Sequence, residues 1–177
     1  CTATPNRSDG AALGQVFEHC AFSYWLDQAI QDGWLCPVHQ TVKHLEHMDL
    51  RKVGKSAGDL NSKELNEVLE YEKVLLPMAD ETHRCVGDRK ALIFCSSVAQ
   101  ALRMCEILNR YDGSCARFVC GSTPINERRQ MYADFSERRF NLLVNCAVLG
   151  EGFDDPSIEA VVMCKPTLSP LTYSQAL

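Results

Sequence analysis

Residues 141–163 read NLLVNCAVLGEGFDDPSIEAVVM. Leu142, Leu143 and Val144 form a short apolar run, the pattern of a strand buried on both faces. The run breaks at Gly150-Glu151-Gly152-Phe153-Asp154-Asp155-Pro156. Two glycines there permit a close backbone approach that a side chain would block. Asp154 and Asp155 are expected to bring carboxylates to the loop tip, and Pro156 forbids helix. A second apolar run, residues 158–163, predicts another strand. Open α/β sheets place their ligands in loops at the carboxyl ends of such strands.

Working outward, the pattern is a βαβαβ alternation. Residues 91–95 and 116–120 predict strands. Ser97 predicts a helix cap, and Ala101, Leu102, Cys105 and Leu108 its buried face. Thr123 predicts the next cap, with Pro124 at the first helical position. Met131 and Phe135 then fall four apart on one face. Upstream, Ser62 predicts a cap for a helix carrying Leu65, Val68, Leu69 and Leu76 and ending near Pro77. Residues 80–90 read as a charged connection. Residues 11–17 and the segment around Leu26, Ala29 and Ile30 read as short helices, the second closed by Gly33. Residues 21–24 and 34–42 read as short extended segments, and 43–58 as a loop or weak hairpin. The expected fold is α/β, a three-layer αβα domain on a mostly parallel sheet.

The wording of several stretches resembles the superfamily 2 DEAD/DEAH-like helicases, with closest likeness to type III restriction helicase subunits and excision-repair helicases. Residues 141–163 resemble motif V, CTATP at 1–5 motif III, ALIFCSS at 91–97 motif IV, VCGSTPINERRQMYADF at 119–135 motif IVa, and PTLSPLTYSQAL at 166–177 the approach to motif VI. The five stand in family order at family spacing. The resemblance implies a RecA-like fold, with residues 1–15 the tail of a first RecA-like domain and 16–177 the second. It implies an ATP-dependent DNA helicase or translocase, with ATP and Mg2+ shared with that first domain. Gly152, Asp154 and Gln175 are the implied nucleotide contacts, Asp154 toward the ribose. The bland reading of Asp154 is a residue capping a turn.

Ser96, Ser97, Gly121, Ser122, Thr123 and Asn145 all fall just past predicted strand ends. Small hydroxyls and free amides there suit phosphate oxygens, and the resemblance assigns these loops to one nucleic-acid strand. Ordinary helix capping by Ser97 and Thr123 is the parallel reading. Arg128 and Arg129 can reach phosphate or pair with Glu127 and Asp134, and a solvated helix face is their expected role.

Other signals bound the function. Hydrophobic residues make up 46% and charged residues 23%, an ordinary globular balance. A net charge of -5 does not advertise a nucleic-acid binder, so such binding must come from a local face. Neither a membrane span nor a signal peptide is visible. Ten cysteines, several inside apolar runs, read as buried thiols in a reducing cytoplasm. Gly54-Lys55-Ser56 is not a phosphate loop, because Asp49 stands where a glycine is required. Cys36, His39, His44 and His47 have zinc-ligand types, but their context reads as strand and loop, and no metal is assigned. No Walker A lysine, acidic box or arginine finger is present in the sequence, so the 177 residues alone are expected not to hydrolyse ATP. Two alternatives stay open: the motor part of a restriction endonuclease, and a nucleic-acid-binding module without ATPase activity.

Overall fold

The computed structural model describes residues 18–19, 21–56, 58–113, 115–149, 153, 155–170 and 172–173. The chain divides into two compact units, residues 1–44 and 45–177. The expected helix at 11–17, and the candidate contacts Gly152, Asp154 and Gln175, lie outside the described residues.

In the first unit, α1 spans Leu26–Gln31 and buries Ala29. Gly33 closes it with φ +79°, the left-handed region that favours glycine. The extended segments expected at 21–24 and 34–42 form no strands. The amides of Trp34 and Leu35 turn back onto the Ala29 carbonyl at 2.9 and 3.1 Å, which draws the chain into the helix end.

In the second unit, a two-stranded antiparallel ribbon pairs β1 (Lys55–Ser56) with β2 (Asp59–Leu60). The ribbon takes up Lys55 and Ser56, and the Gly54 amide donates to Glu64 Oε2 at 2.6 Å. Helix α2 (Ser62–Leu69) is capped by Asn61, not Ser62: the Asn61 side chain accepts from the amides of Lys63 and Glu64. The chain breaks at Glu70 and Tyr71 and restarts as α3 (Glu72–Val86), so one expected helix is two. Pro77 lies inside α3. It sits on the exposed side, where water can satisfy the carbonyl it leaves unbonded. The expected connection at 80–90 is therefore mostly the last turns of α3.

The core sheet holds β3 (Ala91–Phe94), β4 (Ala116–Cys120), β5 (Leu142–Cys146) and β6 (Ala160–Met163), all parallel in the order β4-β5-β3-β6. Side chains alternate across it, as the pleat dictates. Ala91, Ile93, Leu142 and Val144 join the core beneath α2, α3 and α4 (Val98–Tyr111). Leu92 and Leu143 face the opposite side, with Phe135 of α5 (Ile125–Ser136) and Phe140. Helices thus cover both faces in the expected three layers. The buried face of α4 is rotated from expectation: Gln100, Ala101, Met104, Ile107 and Leu108 are buried, while Leu102 is exposed. Gln100 turns inward because the sheet edge offers it partners. The Thr123 cap is not formed either. Pro124 is the N-cap of α5, and the Thr123 hydroxyl instead accepts from the Cys120 amide at 3.1 Å.

Candidate nucleic-acid interface at the carboxyl edge of the sheet

Because the four strands are parallel, the segments that leave their carboxyl ends emerge along one edge. In spatial order these begin at Gly121, Ala147, Cys95 and Cys164.

At the end of β3, Ser97 caps α4 through its hydroxyl, which accepts from the Gln100 amide at 3.0 Å and donates to Glu70 Oε1 at 2.5 Å. The Ser96 amide and hydroxyl both donate to Gln100 Oε1, at 2.7 and 2.9 Å. Gln100 is fully buried, and its Nε2 donates to the Cys164 carbonyl at 2.9 Å. One amide side chain therefore ties the ends of β3 and β6 together. Sequence patterning missed it, since a glutamine counts against a buried helix face.

At the end of β4, Gly121 and Ser122 are exposed and Thr123 is half-buried. The turn closes with the Thr123 amide on the Cys120 carbonyl at 3.1 Å. Arg128 sits behind this turn. Its Nη2 lies 3.3, 3.2 and 3.2 Å from the carbonyls of Cys120, Gly121 and Thr123. Arg128 thus braces the backbone and pairs with neither expected acid. Asp134 pairs instead with Arg117 and Arg139, at 3.0 and 3.2 Å. The Ser122 hydroxyl, 3.1 Å from Cys120 Sγ, is the main group holding that thiol below its ordinary pKa; burial opposes it and Thr123 assists.

Asn145 lies within β5 and is fully buried. Its Nδ2 donates to the Ile93 carbonyl at 3.1 Å, and its Oδ1 has no hydrogen-bond partner among the described residues. Ala147, the first residue past β5, has φ +56°, a backbone conformation unfavourable for a side chain.

Phe153 packs edge-on against Tyr132, with ring centroids 5.2 Å apart. Asp155 is not a free carboxylate at the tip, as the sequence suggested. It receives Lys90 Nζ at 2.8 Å, the Ser157 hydroxyl at 2.5 Å and the Ser136 hydroxyl at 3.1 Å. Burial alone would raise its pKa, but these donors outweigh burial and hold it well below the usual carboxylate range. Lys90 is fully buried, with Nζ 4.4 Å from the Phe135 ring centre. A lysine at a strand start reads as a solvated boundary, so the sequence carried no signal for this pair.

Among the described residues no three His, Cys, Asp or Glu side chains converge as a metal site. No helix among them is long and apolar enough to cross a membrane. The eight described cysteines carry no disulfide.

The parallel sheet, helices on both faces and loops gathered at one edge define a RecA-like α/β domain. The chain belongs to the helicase conserved C-terminal domain family, whose model matches residues 74–177. Among curated proteins it is similar to the "Putative mitochondrial ATP-dependent helicase irc3" of Schizosaccharomyces pombe, at 29% identity over 90% of this chain and 26% of that protein. It is also similar to the "Putative ATP-dependent helicase IRC3" of Saccharomyces cerevisiae, at 28% identity over 95% of this chain and 24% of that protein. The chain thus spans about a quarter of the length of these relatives. Among solved structures, the C-terminal domain of the DEAD-box protein Dbp5 superposes with a TM-score of 0.51 at 25% identity, covering 60% of this chain and 62% of that one.

Proposed function

We propose that this chain supplies the second RecA-like domain of an ATP-dependent motor that moves along nucleic acid, with residues 1–15 ending a first such domain and 16–177 forming the second. The observation that carries this reading is the shared edge. Ser96, Ser97, Gly121, Ser122 and Thr123 come from two separated strands, yet their loops emerge on one side of one sheet. Their small side chains leave the backbone approachable, which suits a sugar-phosphate strand held without regard to base sequence. Asn145 serves from beneath, through its bond to β3. DNA is the proposed polymer, on the likeness of the motifs to restriction and excision-repair motors. ATP and Mg2+ are proposed to lie against the first domain, with Gly152, Asp154 and Gln175 on this side. When bound, they supply the phosphoryl chemistry that drives movement. The test is ATP turnover by the full-length protein with and without DNA. Stimulation by DNA is expected; turnover indifferent to nucleic acid contradicts the reading.

A further inference from the structure

A cleft of about 400 Å³ opens beside Ser96, at the β3–β6 end of the carboxyl edge. The β1–β2 ribbon and the start of α2 wall one side, and the residues after β6 wall the other. Lys63 and Lys165 line it, with the hydroxyl residues Ser56, Ser62 and Ser96. One carboxylate, Asp59, also lines it, but that carboxylate is already committed. It accepts from the Thr167 hydroxyl at 2.6 Å and from the amides of Leu168 and Leu60 at 2.7 and 2.8 Å. Burial would raise its pKa; those three donors and the Lys165 charge outweigh burial and hold it below its ordinary value. The α2 end adds little by itself, because Asn61 already caps the Lys63 and Glu64 amides. Neither cleft lysine forms a salt bridge with a carboxylate among the described residues. The cleft therefore offers two ammonium groups and the hydroxyls of Ser56 and Ser62 around a polar space, the Ser96 hydroxyl being engaged with Gln100 Oε1. Two ammonium groups against the one ionised carboxylate leave the cleft net positive, which suits phosphate oxygens.

Position decides which phosphate. Ser96 belongs both to the cleft and to the row of strand-end loops. Three inter-strand steps of about 4.8 Å, roughly 14 Å in all, separate the end of β4 from the end of β6. A strand laid along the β4 and β3 ends and continued in the same direction arrives at the cleft.

We propose that the cleft is a further nucleic-acid contact, which receives a backbone phosphodiester of the strand held at the carboxyl edge, with Lys63 and Lys165 as its cations. It rests on the nucleic-acid reading above. It also gives the ribbon and α2, which precede the β3 strand, a share in substrate contact.

The test is fluorescence anisotropy of a labelled single-stranded oligodeoxynucleotide with the full-length protein, across a salt series. Wild type is compared with Lys63→Gln, Lys165→Gln and the double variant. Each lost lysine should lower the log–log salt slope by about 0.7 and the affinity roughly fivefold near 0.1 M salt. Lys63→Arg with Lys165→Arg should keep the slope, which separates lost charge from lost fold. A double glutamine variant that matches wild type in slope and affinity overturns the cleft and leaves the strand-end reading standing. No binding by wild type removes both. Inorganic phosphate tests the source: amide shifts at Ser62 and Lys63 on adding phosphate, with no displacement of the oligonucleotide, would overturn the cleft as a strand contact.

Discussion

Lys90 and Asp155, 65 residues apart, form a buried ion pair that ties the start of β3 to the chain entering β6. The ammonium has no exposed surface and the carboxylate almost none. Removing one partner leaves the other charge buried and unpaired, which costs about 3–5 kcal/mol. Lys90→Met should lower unfolding stability by that order in urea titrations. Lys90→Met with Asp155→Asn should cost clearly less than the two single changes summed, because they share one interaction. Additive losses would mean that the two groups do not depend on each other.

The same pair sets an acid limit. Asp155 has a folded pKa well below its ordinary 3.8, and Asp59 is lowered as well. A lowered folded value means that the unfolded chain takes up the proton first. The stability conferred is therefore complete above the ordinary value and is lost as pH falls through the folded value. Chemical denaturation should show a plateau above about pH 5 and a steep loss below about pH 4. Asp155→Asn should flatten part of that loss. A wild-type profile that rises toward low pH would contradict the assignment.

Gln100→Leu preserves bulk but strands the Ser96 amide and the Cys164 carbonyl, both served by Gln100. Each buried unsatisfied group costs about 1–3 kcal/mol, so a total loss of roughly 2–6 kcal/mol is expected in thermal or urea unfolding. An unchanged midpoint would show that the two strand ends are held by other means.

Arg128→Ala should act locally. Its three bonds to carbonyls are long, so the stability change should stay near about 1 kcal/mol. Hydrogen exchange at the amides of residues 121–123 should speed up markedly, while exchange in β3 and β5 stays as in wild type. Uniform acceleration throughout the domain would make Arg128 a global support and not a brace for this turn.

The strands β3 to β6 and helices α4 and α5 were legible because apolar runs and helical spacing mark them directly. So was the placing of Ser97, Gly121 and Ser122 just past strand ends. Pro77 misled because a proline reads as a stop, whereas its exposed side of α3 tolerates it. Asn61 and Ser62 are both good caps, and composition cannot rank neighbours that differ by one residue. Lys90, Gln100 and Arg128 were missed for one reason: each is polar and draws its role from partners that only the fold brings near. The cleft was illegible because its ribbon has two residues per strand, too few for a period to show.

Where the nucleic-acid strand lies is the central claim, and photo-crosslinking measures it most directly. The full-length protein would be irradiated with a 4-thiothymidine oligonucleotide and the crosslinked peptides mapped by mass spectrometry. Crosslinks at residues 96–97 and 121–123, the carboxyl edge of the sheet, are predicted. Crosslinks confined to the opposite edge, around Arg89, Arg138 and Glu159, would contradict the account.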